Sequence, residues 1–219
     1  MSTIIDTLIT NRTNTTQLVT IRNKIKAGTA TSTEKNTYLA GMNAAYNASD
    51  LNRVGQAILY LKTELDGLQS ELYAEYQTAL SDISASLTYP IDNYDLSVTL
   101  PTSLYQVSYS YPVATYAVKT DWVASDIPSS TQMSNYLSNV RSIANAAGVA
   151  GILPTTVSQL TCDGANNIES ALVQAQTFYE TYRQNKLDAL EAAKDEAVRE
   201  FVILDSNWWN CGETQSGGY

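Results

Sequence analysis

The 219-residue chain contains no histidine, only two cysteines and five prolines, and thirteen cationic side chains against twenty-two acids. Each shortage removes a class of function. Without histidine the usual general base near neutral pH is missing, and so is the commonest metal ligand. Any catalysis would fall to carboxylates, lysine, tyrosine or cysteine. A net charge of −9 argues against nucleic acid, because binding a phosphate backbone needs clustered cations. Residues 1–18 carry no basic stretch ahead of an apolar one and no small-residue cleavage pattern. No run approaches the ~20 apolar residues that cross a bilayer, so neither secretion nor membrane insertion is expected. The Asn-x-Ser/Thr triplets headed by Asn11, Asn14 and Asn47 are then chance matches.

Two cysteines make neither a disulfide framework nor a metal site. A helix opening at Cys162 and running to about Val202 would be roughly 60 Å long. The residues from there to Cys211 reach back only about 30 Å when fully extended, so two separate thiols are expected. No cofactor or metal site follows from the residues.

What the chain does have is helical periodicity. Residues 13–27 read as a short helix, with Asn14 and Gln17 in capping-box spacing and Gly28 placed to end it. Thr31 and Glu34 give the same signature for a second helix leading into Tyr38, Leu39 and Met42. A third follows Ser49 as N-cap: Leu51, Val54, Ile58, Leu61, Leu65, Leu68 and Leu72 alternate three- and four-residue spacing, a coiled-coil-like seam reaching about Ser81. Gly67 inside it costs about 1 kcal/mol relative to alanine, which the seam absorbs.

From Tyr89 the period becomes two. Leu96, Val98 and Leu100 alternate with polar residues, as do Tyr105, Val107, Tyr109 and Tyr111, and Val113 to Lys119 is a third extended candidate. Pro90, Pro101 and Pro112 punctuate these runs, so a small antiparallel three-stranded β insertion is expected over about residues 89–119. A fourth helix follows Pro128, capped by Ser129 with Gln132 and running through Met133, Tyr136, Leu137, Val140 and Ile143 to Gly148. The last opens at Thr161 or Asp163. Its stripe of Ile168, Leu172, Ala175, Tyr179 and Tyr182 is offset from a second of Leu187, Leu190, Ala197 and Phe201, so a stutter, kink or change of partner is expected near residues 184–186.

The expected fold is mainly α: an elongated helical bundle with two long helices and the β insertion. Its segments are an N-terminal helical part (1–85), the Tyr-rich insertion (86–120), a C-terminal helical part packing with the first (121–205) and an aromatic tail (206–219).

Three stretches then carry a resemblance: YLAGMNAAYNASDLNRVGQAILYL from Tyr38 to Leu61, VKTDWVASDIPSSTQMSNYLSNV from Val118 to Val140, and LTCDGANNIESAL from Leu160 to Leu172. In this order, covering about half of the chain, they resemble a family of uncharacterised, virion-associated proteins of Firmicutes phages and prophages, encoded among the tail and tail-fibre genes. The ending WWNCGETQSGGY also looks like the aromatic ending of that family. The resemblance implies a structural component near the tail or baseplate and transfers no catalytic residue. This chain departs from shorter members in its longer helix and the Tyr-rich segment between Leu61 and Val118.

The candidate sites have plain structural readings beside them. Asp163 with Glu169, or Asp121 with Asp126, could be imagined as hydrolytic acid pairs. No cleft or supporting residue is visible for either, and Asp163 suits the positive end of a helix dipole. Trp122 could be a ligand platform, but an anchor of the insertion onto the helices is favoured, with Asp121 capping a turn. Arg53 reads as one half of an interhelical ion pair. Trp208, Trp209 and Tyr219 are the best interface candidates, joined by Tyr105, Tyr109 and Tyr111 of the insertion. The expected function is non-enzymatic. It is that of a structural or adaptor protein of a bacteriophage particle, assembled in the host bacterial cytoplasm and packing against itself and other tail or baseplate proteins. The alternatives are a host-recognition module whose tyrosines bind a cell-surface polysaccharide, and a neck, collar or head-associated component.

Overall fold

The computed structural model describes residues 3–12, 16–40, 47–86, 98–109, 113–157 and 160–212, with Ala40 and residues 201–212 described by backbone alone. Among them are five α-helices: α1 (Thr16–Lys26), α2 (Ser32–Ala40), α3 (Ala48–Ser86), α4 (Ser130–Ala146) and α5 (Cys162–Gly212). Two are long, α3 at 39 residues and α5 at 51.

Local chemistry sets the helix ends. Thr31 and Glu34 form a reciprocal cap: the Thr31 N–H donates to Glu34 Oε2 at 2.9 Å, and the Glu34 N–H to Thr31 Oγ1 at 3.2 Å. Ser129 and Gln132 do the same for α4. The Asn14–Gln17 cap lies outside the described residues. For α3 the cap is Asn47 rather than Ser49. The Asn47 Oδ1 accepts from the N–H groups of Ser49 and Asp50, and Asp50 reaches back to the Asn47 N–H at 2.9 Å. An N-terminal Asn-x-x-Asp box therefore outcompetes the lone serine. Of the two residues proposed to open α5, Thr161 caps it, accepting from the Gly164 N–H, while Asp163 lies in the first turn. Gly28 and Gly148, both at φ 71°, end α1 and α4. In each case the next N–H reaches back to close the helix, Thr29 to Lys24 and Val149 to Ala144.

Two compact units form, Met1–Asp66 with Tyr109–Tyr179 and Gly67–Ser108 with Glu180–Tyr219. They cut across the four sequence segments because α3 and α5 each contribute to both. In the first unit the α3 seam buries Leu51, Val54, Ile58, Leu61 and Leu65, α4 buries Leu137, Val140 and Ile143, and α5 buries Ile168, Leu172 and Ala175. Each such leucine, isoleucine or valine contributes about 1.5–3 kcal/mol by leaving water. In the second unit Leu68 and Leu72 continue the seam. Tyr76, Ala79, Ile83, Leu100 and Leu190 form a core lined by Leu104, Tyr105, Ala193 and Ala197. The division at Tyr179 lies within two turns of the offset of the α5 stripe, and α5 stays helical from Cys162 to Gly212.

The antiparallel β insertion is absent: among the described residues there is no β-strand. Leu96 and Tyr111 lie outside them. A 3-10 turn, Thr102–Leu104, follows Pro101, and Tyr105 has helical dihedrals of φ −106°, ψ −15°. The backbone groups that would have formed a ladder are taken by helix side chains instead. In the second unit Tyr76 Oη donates to the Leu100 carbonyl at 2.7 Å, Lys186 Nζ to the Ser103 carbonyl at 2.6 Å, and the Ser108 N–H to Tyr182 Oη at 3.0 Å. In the first, Val113 is held at both ends by the α3 ion pair Lys62–Asp66. Its N–H donates to Asp66 Oδ1 at 2.6 Å, and its carbonyl accepts from Lys62 Nζ at 2.7 Å. A backbone satisfied this way has no need of a neighbouring strand.

The C-terminal segment also differs from the tail reading, since α5 extends through residues 206–212. Cys162 opens α5 as a thiol.

Candidate functional site

The densest polar arrangement lies inside the first unit, where the N-terminal segment meets α3 and α5. Glu169 is fully buried, Asp50 is 4% exposed and the Arg12 side chain is out of solvent. Arg12 Nη2 donates to Glu169 Oε1 at 2.5 Å and Asp50 Oδ1 at 2.9 Å, while Arg53 Nη2 reaches Glu169 Oε1 at 2.9 Å and also pairs with Asp50. Glu169 Oε2 accepts from the Ile9 N–H, and Arg12 Nη1 donates to the Ile9 carbonyl at 2.7 Å. Two cations and two carboxylates thus close a neutral ring of charge-assisted bonds. Burial alone would lower the pKa of either guanidinium. The hydrogen bonds and charges of Glu169 and Asp50 outweigh it and hold both above the usual arginine value.

In the same unit three asparagines each pair with both polar groups of one backbone residue. Asn166 of α5 accepts from the Arg12 N–H and donates to the Arg12 carbonyl, both at 2.9 Å. Asn52 of α3 does so for Trp122, at 2.6 and 2.9 Å, and Asn139 of α4 for Tyr116, at 2.6 and 3.3 Å. A side-chain amide presents the same donor and acceptor as a peptide group, so each helix offers a passing segment one unit of artificial strand pairing. Gly55 makes room for this. A Cβ there would sit 2.8 Å from the Lys119 carbonyl oxygen.

Trp122 is buried at 7% exposure, with the Lys119 ammonium 5.0 Å from its ring centroid. It anchors its segment, as its apolar area demands. The turn after it is closed by Asp126 rather than Asp121. Asp126 Oδ2 accepts from the Val123 N–H at 3.0 Å, whereas Asp121 is exposed and pairs with Lys119. A pocket of about 220 Å³ beside Trp122 is walled by Tyr136, Gln132, Asn135 and Lys119. A groove of about 430 Å³ along α4 is lined by serines, threonines and Arg141.

Tyr105 belongs to the second unit and lies edge-on to Tyr73 and Tyr76, with centroids 5.0 Å apart in both cases. Tyr109 belongs to the first, where its hydroxyl donates to the Leu65 carbonyl and its ring meets Phe178 edge-on. Trp208 and Trp209 fall in the last turns of α5; Tyr111 and Tyr219 lie outside the described residues. Sequence reasoning found the Arg53 ion pair, weighed Glu169 only beside Asp163 as an acid pair it set aside, and passed over Arg12, Asp50 and the three asparagines. Glu169 did carry a signal, a charge flanked by Ile168 and Leu172 on an apolar stripe. Arg12 carried none.

Among the described residues no group of three or more His, Cys, Asp or Glu could hold a metal ion, and no helix is long and apolar enough to cross a membrane. The ring itself has its charges spent on one another, so what it does chemically is lock segments together. No family model matches the chain, and neither the curated proteins nor the solved structures yield a match.

Proposed function

We propose that this chain is a non-catalytic structural or adaptor protein of a bacteriophage particle, in the tail or baseplate, working by packing against copies of itself and neighbouring virion proteins. The observation that supports this reading is where the three resembling blocks spend their polar residues. Asp50, Asn52 and Arg53 of the first, Trp122 and Asn139 of the second, and Asn166 and Glu169 of the third are joined in the buried scaffold of one unit. The polar residues of the blocks that carry the resemblance are used here to hold segments in place, which suits a part whose job is shape. Trp208, Trp209 and Tyr219 are its interface residues toward the particle.

Immunogold labelling of intact phage particles tests the proposal. Label at the distal tail is the expected result, and label at the head–tail junction moves the protein to a neck or collar. Unlabelled particles with a demonstrably accessible epitope overturn the virion assignment.

A further inference from the structure

The cations are unevenly distributed. Residues 16–40, the α1–α2 hairpin, hold Arg22, Lys24, Lys26 and Lys35 with Glu34 as the only acid, so the hairpin is +3 in a chain of −9. It is also thinly packed. The two helices rest on each other and are tied by the Lys24–Glu34 ion pair, yet among residues 16–39 Ile21 alone is buried. Leu39 is 63% exposed and lies one turn after Lys35, also exposed, so an aliphatic side chain and a cation share the open face of α2. Leu39 thus adds apolar area to a face whose net charge is positive.

The second unit carries the opposite surface. A groove of about 330 Å³ between its parts of α3 and α5 is rimmed by Glu75, Asp82, Asp188 and Glu191 against Lys194, with Leu187 in its wall. Lys194 is already engaged by Asp82 and Glu191, and the rim is −3 overall. We infer that this groove receives the α1–α2 hairpin of a second copy of the chain. The occupant follows from charge. A rim of −3 selects a basic partner, and this protein displays a +3 hairpin with an exposed leucine for the apolar wall. The inference deepens the self-packing part of the proposed function and rests on it. Because hairpin and groove are different surfaces, the contact is heterologous, and repeated copies close into a ring or extend as a helical array.

Sedimentation velocity of the full chain at low salt, with two charge-reversed variants, tests this. Arg22→Glu with Lys35→Glu makes the hairpin acidic, and Glu75→Lys with Asp188→Lys makes the groove basic. All four positions are exposed, so the helical circular dichroism should be unchanged. Wild type should associate, and more weakly as salt rises. Each variant alone should dissociate at least about tenfold more readily, and an equimolar mixture should associate again, because the acidic hairpin of one then meets the basic groove of the other. Association unaffected by either reversal, or reversals that mixing does not rescue, overturns the hairpin-to-groove contact while leaving self-packing intact. A wild type that stays monomeric overturns both, and particle labelling still judges the virion reading separately. Binding of the groove variant and wild type alike to phosphatidylglycerol vesicles, without self-association, would make an anionic lipid surface the hairpin's partner and overturn the inference.

Discussion

Gly55 and Gly67 occupy the same helix twelve residues apart, and their surroundings give them opposite consequences. A methyl at Gly67 would meet nothing within 4 Å, whereas at Gly55 it would press on the Lys119 carbonyl oxygen at 2.8 Å. Gly67→Ala should therefore stabilise the protein by about 1 kcal/mol, the intrinsic helix preference. Gly55→Ala gains the same preference but must push the segment carrying Lys119 off α3, an overpacking cost of about 1–3 kcal/mol. Urea denaturation of the two variants should show opposite shifts of the midpoint. A stabilised Gly55→Ala would mean that the segment is not seated on the helix as described. The sequence marked Gly67 as a weakness of the seam and left Gly55 unremarked, since glycine spacing does not reveal what passes overhead.

Elements here owe much to side chains that stand in for backbone. The segment around Tyr116 keeps its place because the buried Asn139 satisfies its N–H and carbonyl together. Asn139→Leu keeps the bulk and strands both groups, so a loss of about 1–3 kcal/mol is expected. Amide hydrogen exchange should accelerate over residues 113–120, with α4 itself little changed. The α1–α2 hairpin depends instead on a titratable contact. The Lys24 ammonium first, then the Thr31 N–H, draw the Glu34 carboxyl from 4.5 to about 2. The folded hairpin thus holds that proton less tightly than the unfolded chain does. Its contribution is complete above about pH 4.5 and disappears as the pH falls through 2. Carboxyl-carbon NMR should place the Glu34 midpoint near 2 in the wild type and closer to 4.5 in Lys24→Ala. The same value in both would remove the ion pair from solution.

At the scale of the molecule, the charge ring joins Arg12, the i,i+3 pair of Asp50 and Arg53 on α3, and Glu169 on α5, three places that no local pattern relates. Glu169→Gln should leave two guanidinium groups facing one carboxylate in a buried site, with a loss of about 3–5 kcal/mol in denaturation. A loss below about 1 kcal/mol would show that the ring is hydrated rather than sealed. The sequence by itself determined the helices, the caps at Thr31 and Ser129 and the seam, because a 3.6-residue period and a cap are local properties written in adjacent residues. It misread the segment from Val98 to Lys119, where alternating Tyr and Val satisfied the strand pattern. Period two requires only that alternate side chains find different surroundings, and helix-borne Asn, Tyr, Lys and Asp took the backbone groups before any strand could. Tertiary structure alone decided that outcome, along with the charge ring. Each depends on which distant side chain arrives within hydrogen-bonding reach, a fact of three-dimensional packing that spacing along the chain does not encode.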